Sequence, residues 1–229
     1  MNRNLKNGLL LDVETTGFSP RDDEIIEVAL SSFTYSGKTG EIIDIIAQDS
    51  FLREPISDTA LRNYERAARV HGIPFEQVKG KTFSDRRIQE YFERTDTVFA
   101  HNASFDRSFL VQMYPEANNL DWFCTMRNVA WKDYGFENSK LLTLLKAHGI
   151  TNSQTHRAMD DITYLMKLLK QKSPSGKLYL KEVISKGPMS KYQESICHSP
   201  QKNKGLTFDI SRILRQVLDE AAASKEKNK

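Results

Sequence analysis

The stretch that most constrains this chain is Leu9–Gly17, in which two carboxylates interrupt an apolar run. Its leucines and Val13 predict a buried β-strand. Asp12 and Glu14 lie two residues apart, so both side chains project from the same face of that strand. Two acids at the end of a buried strand are unfavourable unless a cation lies between them. The usual cation is divalent, and oxygen ligands favour magnesium or manganese. The alternative is an edge strand with two acids on its solvent face.

Hydrophobic periodicity along the chain predicts a mixed α/β domain that ends near Lys172. Three antiparallel strands come first, with a hairpin turn at 36–40, and strands then alternate with helices. The predicted strands are 9–13, 25–35, 41–51, 97–100 and 121–124. The predicted helices begin at caps Ser57, Ser84 and Asn138 or Ser139, or span 105–113 and 155–172.

The residues after Lys172 differ in charge from those before it. Residues 173–229 hold 11 Lys and Arg against 6 Asp and Glu, so the first 172 hold the remaining 22 against 24. Residues 173–176 have the composition of a linker, and residues 177–185 predict a strand or a short helix. We therefore predict a main domain at 1–172 and a basic C-terminal extension at 173–229. An apolar stripe at 210–218 predicts one amphipathic helix, which packs on the main domain or binds a partner, and 224–229 predicts disorder.

Cysteine content and hydropathy indicate the cellular compartment in which the protein works. Cys124 and Cys197 are far apart and match no metal-binding spacing, which predicts reduced thiols. The sequence shows no signal peptide and no apolar run of membrane-spanning length. We therefore expect a cytoplasmic protein.

Two further stretches carry acids beside a histidine. His101–Asp106 follows a predicted buried strand and enters a helix, and His156–Asp161 lies at the start of the last helix of the domain. Each acid also suits the first turn of a helix, where it complements the helix dipole. The order and spacing of three such stretches favour one shared site over three coincidences.

These three stretches, Asp12-Val-Glu-Thr-Thr-Gly17, His101-Asn-Ala-Ser-Phe-Asp106 and His156-Arg-Ala-Met-Asp-Asp161, resemble the motifs of the DEDD exonucleases of the histidine subtype. That family includes the proofreading subunit of bacterial replicative polymerase, ribonuclease T and bacterial exonuclease X. The resemblance covers residues 8 to about 172, and 61–78 and 122–127 are similar to family segments between the motifs. It implies a ribonuclease H-like fold, with a five-stranded mixed sheet flanked by helices.

The resemblance also implies the roles of the motif residues. The metal ligands would be Asp12, Glu14, Asp106 and Asp161, holding two Mg²⁺ or Mn²⁺ ions, and the general base would be His156. Two divalent ions bracket the scissile phosphate in such sites. An ordinary histidine pKa near 6.5 suits a base at neutral pH, so activity is expected to rise through that titration. Helical spacing alone favours Asp160 as the partner of His156, whereas the family pattern favours Asp161, which we prefer.

Four further residues are candidates for substrate binding: Thr15, Phe18, His101 and Asn102. By analogy with the family, Thr15 would meet the terminal 3′-hydroxyl and Phe18 would stack on a base. Phe18 suits a packed loop aromatic equally well. His101 and Asn102 also suit a structural role, in which they order the loop before Asp106. Arg107 and Arg157 could meet phosphates, and the acidic run 22–24 is expected to be solvated.

We therefore predict a metal-dependent 3′→5′ exonuclease that acts on single-stranded or frayed DNA ends. The first alternative is an exoribonuclease that trims RNA, because nothing in the motifs distinguishes a 2′-hydroxyl. The second is a non-catalytic nucleic-acid-binding protein or polymerase-associated scaffold. The expected partners are nucleic acid 3′ ends and, through the C-terminal extension, a DNA polymerase or repair protein.

Overall fold

The computed structural model describes residues 4–193, and its sheet is built around the strand that carries the acidic pair. The strands are β1 (Leu5–Thr15), β2 (Ile25–Ser36), β3 (Ile42–Leu52), β4 (Thr97–Ala100) and β5 (Asp121–Cys124). Their order in the sheet is β3-β2-β1-β4-β5, with β1 in the centre. The first three strands pair antiparallel, and β4 pairs parallel with both β1 and β5. The predicted five-stranded mixed sheet is confirmed.

Helices cover both faces of the sheet, and most lie where periodicity predicts them. They are α1 (Asp58–His71), α2 (Phe75–Val78), α3 (Asp85–Glu93), α4 (Ala103–Met113), α5 (Leu141–Ala147), α6 (Ala158–Leu169) and α7 (Tyr179–Ser185), with a 3-10 helix at Pro115–Asn119. The Ser57 hydroxyl caps α1 by accepting from the Ala60 amide at 3.2 Å, and Gly72 ends it in the left-handed region. Ser84 precedes α3 without a capping hydrogen bond, and Lys140 occupies the cap of α5. The last helix of the predicted domain begins at Ala158, three residues later than Thr155.

The alternation of side chains along β1 divides the core into two layers. Leu9, Leu11 and Val13 pack on the face covered by α3 and α4. Leu10 packs on the opposite face, in the cluster that contains the buried residues of α5, α6 and α7. Because side chains alternate with a period of two, Asp12 and Glu14 follow Leu10 onto the α6 face. The acidic pair therefore points toward the start of α6.

The packed part of the chain continues past the predicted boundary at Lys172. The compact unit ends at Tyr192, and α7 places Tyr179, Leu180 and Val183 in the core beside α6. Gly40, in the turn between β2 and β3, has a φ of 74°, and a Cβ there would collide with the main chain of Lys181. Residues 177–185 thus contain a short helix rather than a strand. The stripe at 210–218, the predicted disorder at 224–229 and Cys197 lie outside the described residues.

Candidate active site

Three carboxylates meet at the end of β1. Asp12 and Glu14 project from β1, and Asp161 projects from the first turn of α6. Each offers an oxygen, and these oxygens lie within 4.8 Å of one another. Asp161 is buried, and the other two carboxylates are partly buried. Among residues 4–193, this is the one acidic cluster with such spacing.

Asp106, from the motif His101–Asp106, lies beside the same strand. It lies in the first turn of α4, is 2% exposed, and its Oδ1 accepts a hydrogen bond from the Val13 amide at 3.3 Å. Its charge is close enough to raise the pKa values of Asp12 and Glu14. The structure therefore brings together all four carboxylates that the motifs predict.

Burial and mutual repulsion shape the ionisation of this cluster. Burial raises the pKa of Glu14 to about 9, aided by the charge of Asp161, and raises that of Asp106 to about 8. Burial also raises the pKa of Asp12 well above its usual range, with Asp106 the next contributor. Burial raises the pKa of Asp161 to about 6, although the hydrogen bond from Gln154 and the nearby His156 lower it. These acids destabilise one another as anions, which is what a bound cation reverses.

Two buried oxygens in the cluster have no protein partner. They are Oδ2 of Asp106 and Oδ1 of Asp161, neither of which accepts a hydrogen bond within residues 4–193. A buried polar atom without a partner is costly and calls for a ligand. Carboxylate oxygens are the ligands that magnesium and manganese prefer. The donor set thus fits the predicted divalent metal.

His156 lies outside the helix that carries Asp161. It is exposed, and its φ of 52° places it in the left-handed region just before α6. Because it precedes the helix, the 3.6-residue period does not relate it to Asp160. Asp160 instead accepts a hydrogen bond from the Thr155 hydroxyl at 2.7 Å. The geometry thus agrees with the preference for Asp161.

Glu27 is a site residue that sequence reasoning missed. It is buried on β2, directly opposite Glu14 in the strand register. Its oxygens accept from the Arg157 guanidinium at 3.0 and 3.1 Å and from the Ala158 amide at 3.2 Å. Arg157, considered as a phosphate contact, is therefore an ion-pair partner of Glu27. This pair fixes the start of α6, and with it Asp161.

His101 and Asn102 have structural surroundings. Both ring nitrogens of His101 are used, Nδ1 with the Thr125 hydroxyl at 3.0 Å and Nε2 with the Ser139 carbonyl at 2.8 Å. Burial lowers the pKa of His101 to about 4, so its ring is neutral. Asn102 adopts φ 71°, a left-handed conformation that asparagine tolerates well, and begins α4. Arg107, also considered for phosphates, is buried and donates to the Ser190 carbonyl at 2.8 Å.

The loop after β1 holds Phe18 outward. The Phe18 ring is 85% exposed and meets Phe105 edge-on at 6.4 Å between ring centroids. The expectation that the acidic run beside it is solvated agrees with the exposed Asp22 but is wrong for Asp23 and Glu24, which are half-buried. Asp23 accepts from the Thr16 and Asn63 side chains, at 3.2 and 2.8 Å.

Other loop contacts complete this arrangement. Glu24 accepts from the Ser57 amide at 2.7 Å and pairs with Arg53, while Asp22 accepts from the Ser19 hydroxyl. The Thr15 hydroxyl donates to the Gly17 carbonyl at 2.6 Å. A Cβ at Gly17 would overlap the Asp23 carboxylate. The loop is thus held by its own acids and by α1.

A cavity of about 500 Å³ opens beside the carboxylates. Its walls are the end of β1 with its loop, one side of α1 and Phe105. His71, at the end of α1, is buried in the wall, and burial lowers its pKa to about 4. Its Nδ1 accepts from the Ile73 amide at 3.0 Å, which leaves the proton on Nε2. That Nε2 has no partner in the described part of the chain.

Comparison with known proteins agrees with this geometry. A family model described as an exonuclease, RNase_T, matches residues 9–169, more than half of the chain. Among curated proteins, DNA polymerase III PolC-type of Bacillus subtilis is 30% identical over 199 residues, which cover 82% of this chain and 13% of that protein. The Listeria innocua protein of the same name is 34% identical over 161 residues, 66% of this chain and 10% of that protein. The chain spans about a tenth of the length of such relatives.

Solved structures share the fold. A complex of E. coli ExoI with ssDNA aligns with a TM-score of 0.55 at 19% identity, covering 72% of this chain and 40% of that one. A 3′-exonuclease described in its recognition of a histone mRNA stem-loop aligns with a TM-score of 0.51 at 16% identity, covering 71% and 79%. At such identities the likeness concerns the fold, and the predicted ribonuclease H-like fold is confirmed.

Proposed function

We propose that this chain, which belongs to the exonuclease family, removes nucleotides from the 3′ ends of single-stranded or frayed DNA and releases 5′-mononucleotides. Membership confirms the resemblance to the DEDD 3′–5′ exonucleases and makes the chain a nuclease. The observation that carries the finer proposal is the carboxylate cluster with its unpartnered oxygens at the mouth of a nucleotide-sized cavity. Pockets of this volume enclose ligands of nucleotide size.

Four carboxylates would hold the metal. Asp12, Glu14, Asp106 and Asp161 would bind two Mg²⁺ or Mn²⁺ ions, and the unpartnered oxygens of the last two are the free ligand atoms. The chemistry that such ions supply is polarisation of the phosphodiester and stabilisation of the charge that develops on its oxygens.

The remaining residues bind substrate and move the proton. His156, exposed beside Asp161, takes the proton of the water that attacks phosphorus. The bond from phosphorus to the 3′ oxygen of the preceding nucleotide breaks, and that oxygen takes up a proton from solvent. The free Nε2–H group of His71 donates a hydrogen bond to the terminal nucleotide in the cavity, and Phe18 offers an exposed ring for stacking.

The names of the relatives support both the proposed DNA substrate and the proposed partner. Relatives named as DNA polymerases favour DNA over RNA, although each contains the matching segment within a much longer chain. The same names support a polymerase or repair partner for residues 173–229. No helix among residues 4–193 has the length and apolarity to cross a bilayer.

The test is a gel assay of 5′-labelled single-stranded DNA and RNA of one sequence, with Mg²⁺, Mn²⁺ or EDTA. We expect a metal-dependent ladder that shortens from the 3′ end, faster on DNA. Asp161→Asn should abolish the ladder, whereas the matched Asp160→Asn should retain it. Degradation of neither polymer by the folded wild type would overturn the proposal, and faster loss of RNA would favour the exoribonuclease.

A further inference from the structure

Helix α1 carries three exposed arginines in a row along one of its faces. They are Arg62, Arg66 and Arg69, here called the arginine row. Spacings of four and three residues place them on one side of a helix, over a length of about 10 Å. From this row we infer that α1 binds the phosphates of the substrate strand upstream of the 3′-terminal nucleotide. The inference rests on the proposed function and extends it to the rest of the strand.

The row continues the wall of the nucleotide cavity. Arg66 lines that cavity, together with Ala67, Val70 and His71 from the same helix. The Val70 side chain is 60% exposed, and Phe18 across the cavity is 85% exposed. A basic row beside exposed apolar side chains suits single-stranded nucleic acid, which offers both phosphates and base faces.

Within residues 4–193 the charges in the row have no carboxylate partner, in contrast to those of four arginines elsewhere. Asp58 and Glu65 lie four residues before Arg62 and Arg69, the spacing that favours a helical ion pair. Even so, within residues 4–193 no arginine of the row has a carboxylate within 4.0 Å, and Arg62 donates to the Thr59 hydroxyl instead. Four arginines elsewhere are paired: Arg53 with Glu24, Arg86 with Glu90 and Glu93, Arg87 with Asp49 and Glu90, and Arg157 with Glu27. Within residues 4–193, Arg94, Arg107 and Arg127 form no ion pair either, but they do not cluster on one helix face beside the cavity.

Electrostatics gives the row a reason to be unpaired. The carboxylate cluster is acidic, and residues 1–172 hold 22 basic against 24 acidic side chains, so the domain as a whole does not attract a polyanion. Arginines close to the cavity can neutralise phosphates beyond the scissile one and release their counterions. Arginine is suited to this role because its guanidinium matches phosphate geometry.

The decisive variant is Arg62→Gln/Arg69→Gln in the full chain, which leaves the cavity-lining Arg66 in place. We expect KM for a labelled single-stranded 12-mer to rise roughly tenfold at low salt, with kcat little changed. In EDTA, the salt dependence of oligomer binding, measured by fluorescence anisotropy, should become shallower by about 1.4 logarithmic units per decade of salt. The p-nitrophenyl ester of thymidine 5′-monophosphate has no upstream strand, so its KM should change far less.

The matched control is Arg94→Gln/Lys170→Gln, which removes the same charge from the ends of α3 and α6. Both side chains are exposed and neither lines the cavity, so its KM and salt dependence should equal those of the wild type. Equal effects of the two double variants would overturn the inference, and so would an equal loss on oligomer and ester. A wild type that degrades neither substrate would instead overturn the proposed function.

Discussion

The two motif histidines occupy opposite environments. His101 has both ring nitrogens hydrogen-bonded, to Thr125 and to the Ser139 carbonyl, inside the fold. His156 is exposed in a left-handed turn before α6, beside the carboxylate cluster. A ring whose two nitrogens are both hydrogen-bonded cannot exchange a proton without breaking one of those hydrogen bonds. Of these two motif histidines, His156 is the one suited to chemistry, because its ring has no hydrogen-bond partner within residues 4–193.

The largest expected effect is the contrast between His156→Gln and His101→Gln. Loss of the proposed base should lower kcat by about 10²–10³-fold, with the melting temperature unchanged. Loss of the structural ring should reduce the free energy of unfolding by about 1–3 kcal/mol, because the buried Thr125 hydroxyl and the half-buried Ser139 carbonyl lose hydrogen bonds. Thermal melts and single-turnover rates on the same oligomer measure both. The reverse pattern, in which His101→Gln is folded but inactive, would contradict the assignment of His101 to structure and His156 to chemistry.

The second effect concerns Glu27. This residue lies inside the fold, as His101 does, but it binds Arg157, the residue that follows His156. Glu27→Gln removes the charge that holds Arg157 and the start of α6. We expect a loss of about 1–3 kcal/mol in stability, less than for a fully buried pair because Arg157 is partly exposed. The rate should fall because Asp161 shifts, while KM changes little.

Arg157→Gln and the double variant complete a double-mutant cycle. If the pair acts as a unit, the double variant is less destabilised than the sum of the two single variants. Strict additivity would show that Glu27 positions α6 through other contacts.

The last prediction concerns the pH dependence of stability without metal. The native pKa values of Glu14 and Asp106, about 9 and 8, lie above the ordinary 4.5 and 3.8. The native state therefore holds protons that the unfolded chain releases, so the stabilisation is complete below about pH 4 and lost toward pH 9. In EDTA, the melting temperature should fall between pH 5 and 9. Asp106→Asn should flatten this fall and added Mg²⁺ should oppose it, whereas a slope unchanged by Asp106→Asn would contradict the assignment.

The sequence predicted much of the fold because its signals are local. The strands β4 and β5 lie at their predicted residues, and α1 has its predicted cap at Ser57. The facing of Asp12 and Glu14 also follows from the period of a strand. Boundaries moved where a loop residue keeps a non-helical conformation, as His156 does before α6.

What the sequence could not predict depends on contacts between distant residues. Glu27 and Arg157 are 130 positions apart, so no local pattern links them. The sequence around Asp23 and Glu24 is typical of a solvated loop. Their hydrogen-bond donors, the Asn63 side chain in α1 and the amide of its cap Ser57, are distant in the sequence. The motif positions of the four carboxylates indicated a shared site, but only the structure shows which oxygens lack partners.

The packing of α7 bears on how this nuclease can be fused or shortened. The Trp131 and Tyr179 rings pack at an angle of 40° with centroids 4.6 Å apart, and the turn at Gly40 contacts Lys181. A protein cut after Lys172 would lose Tyr179, which covers Trp131. The hydrophobic surface exposed in this way would favour aggregation. Tags and fusion partners should therefore be joined beyond Tyr192, where the compact unit is whole.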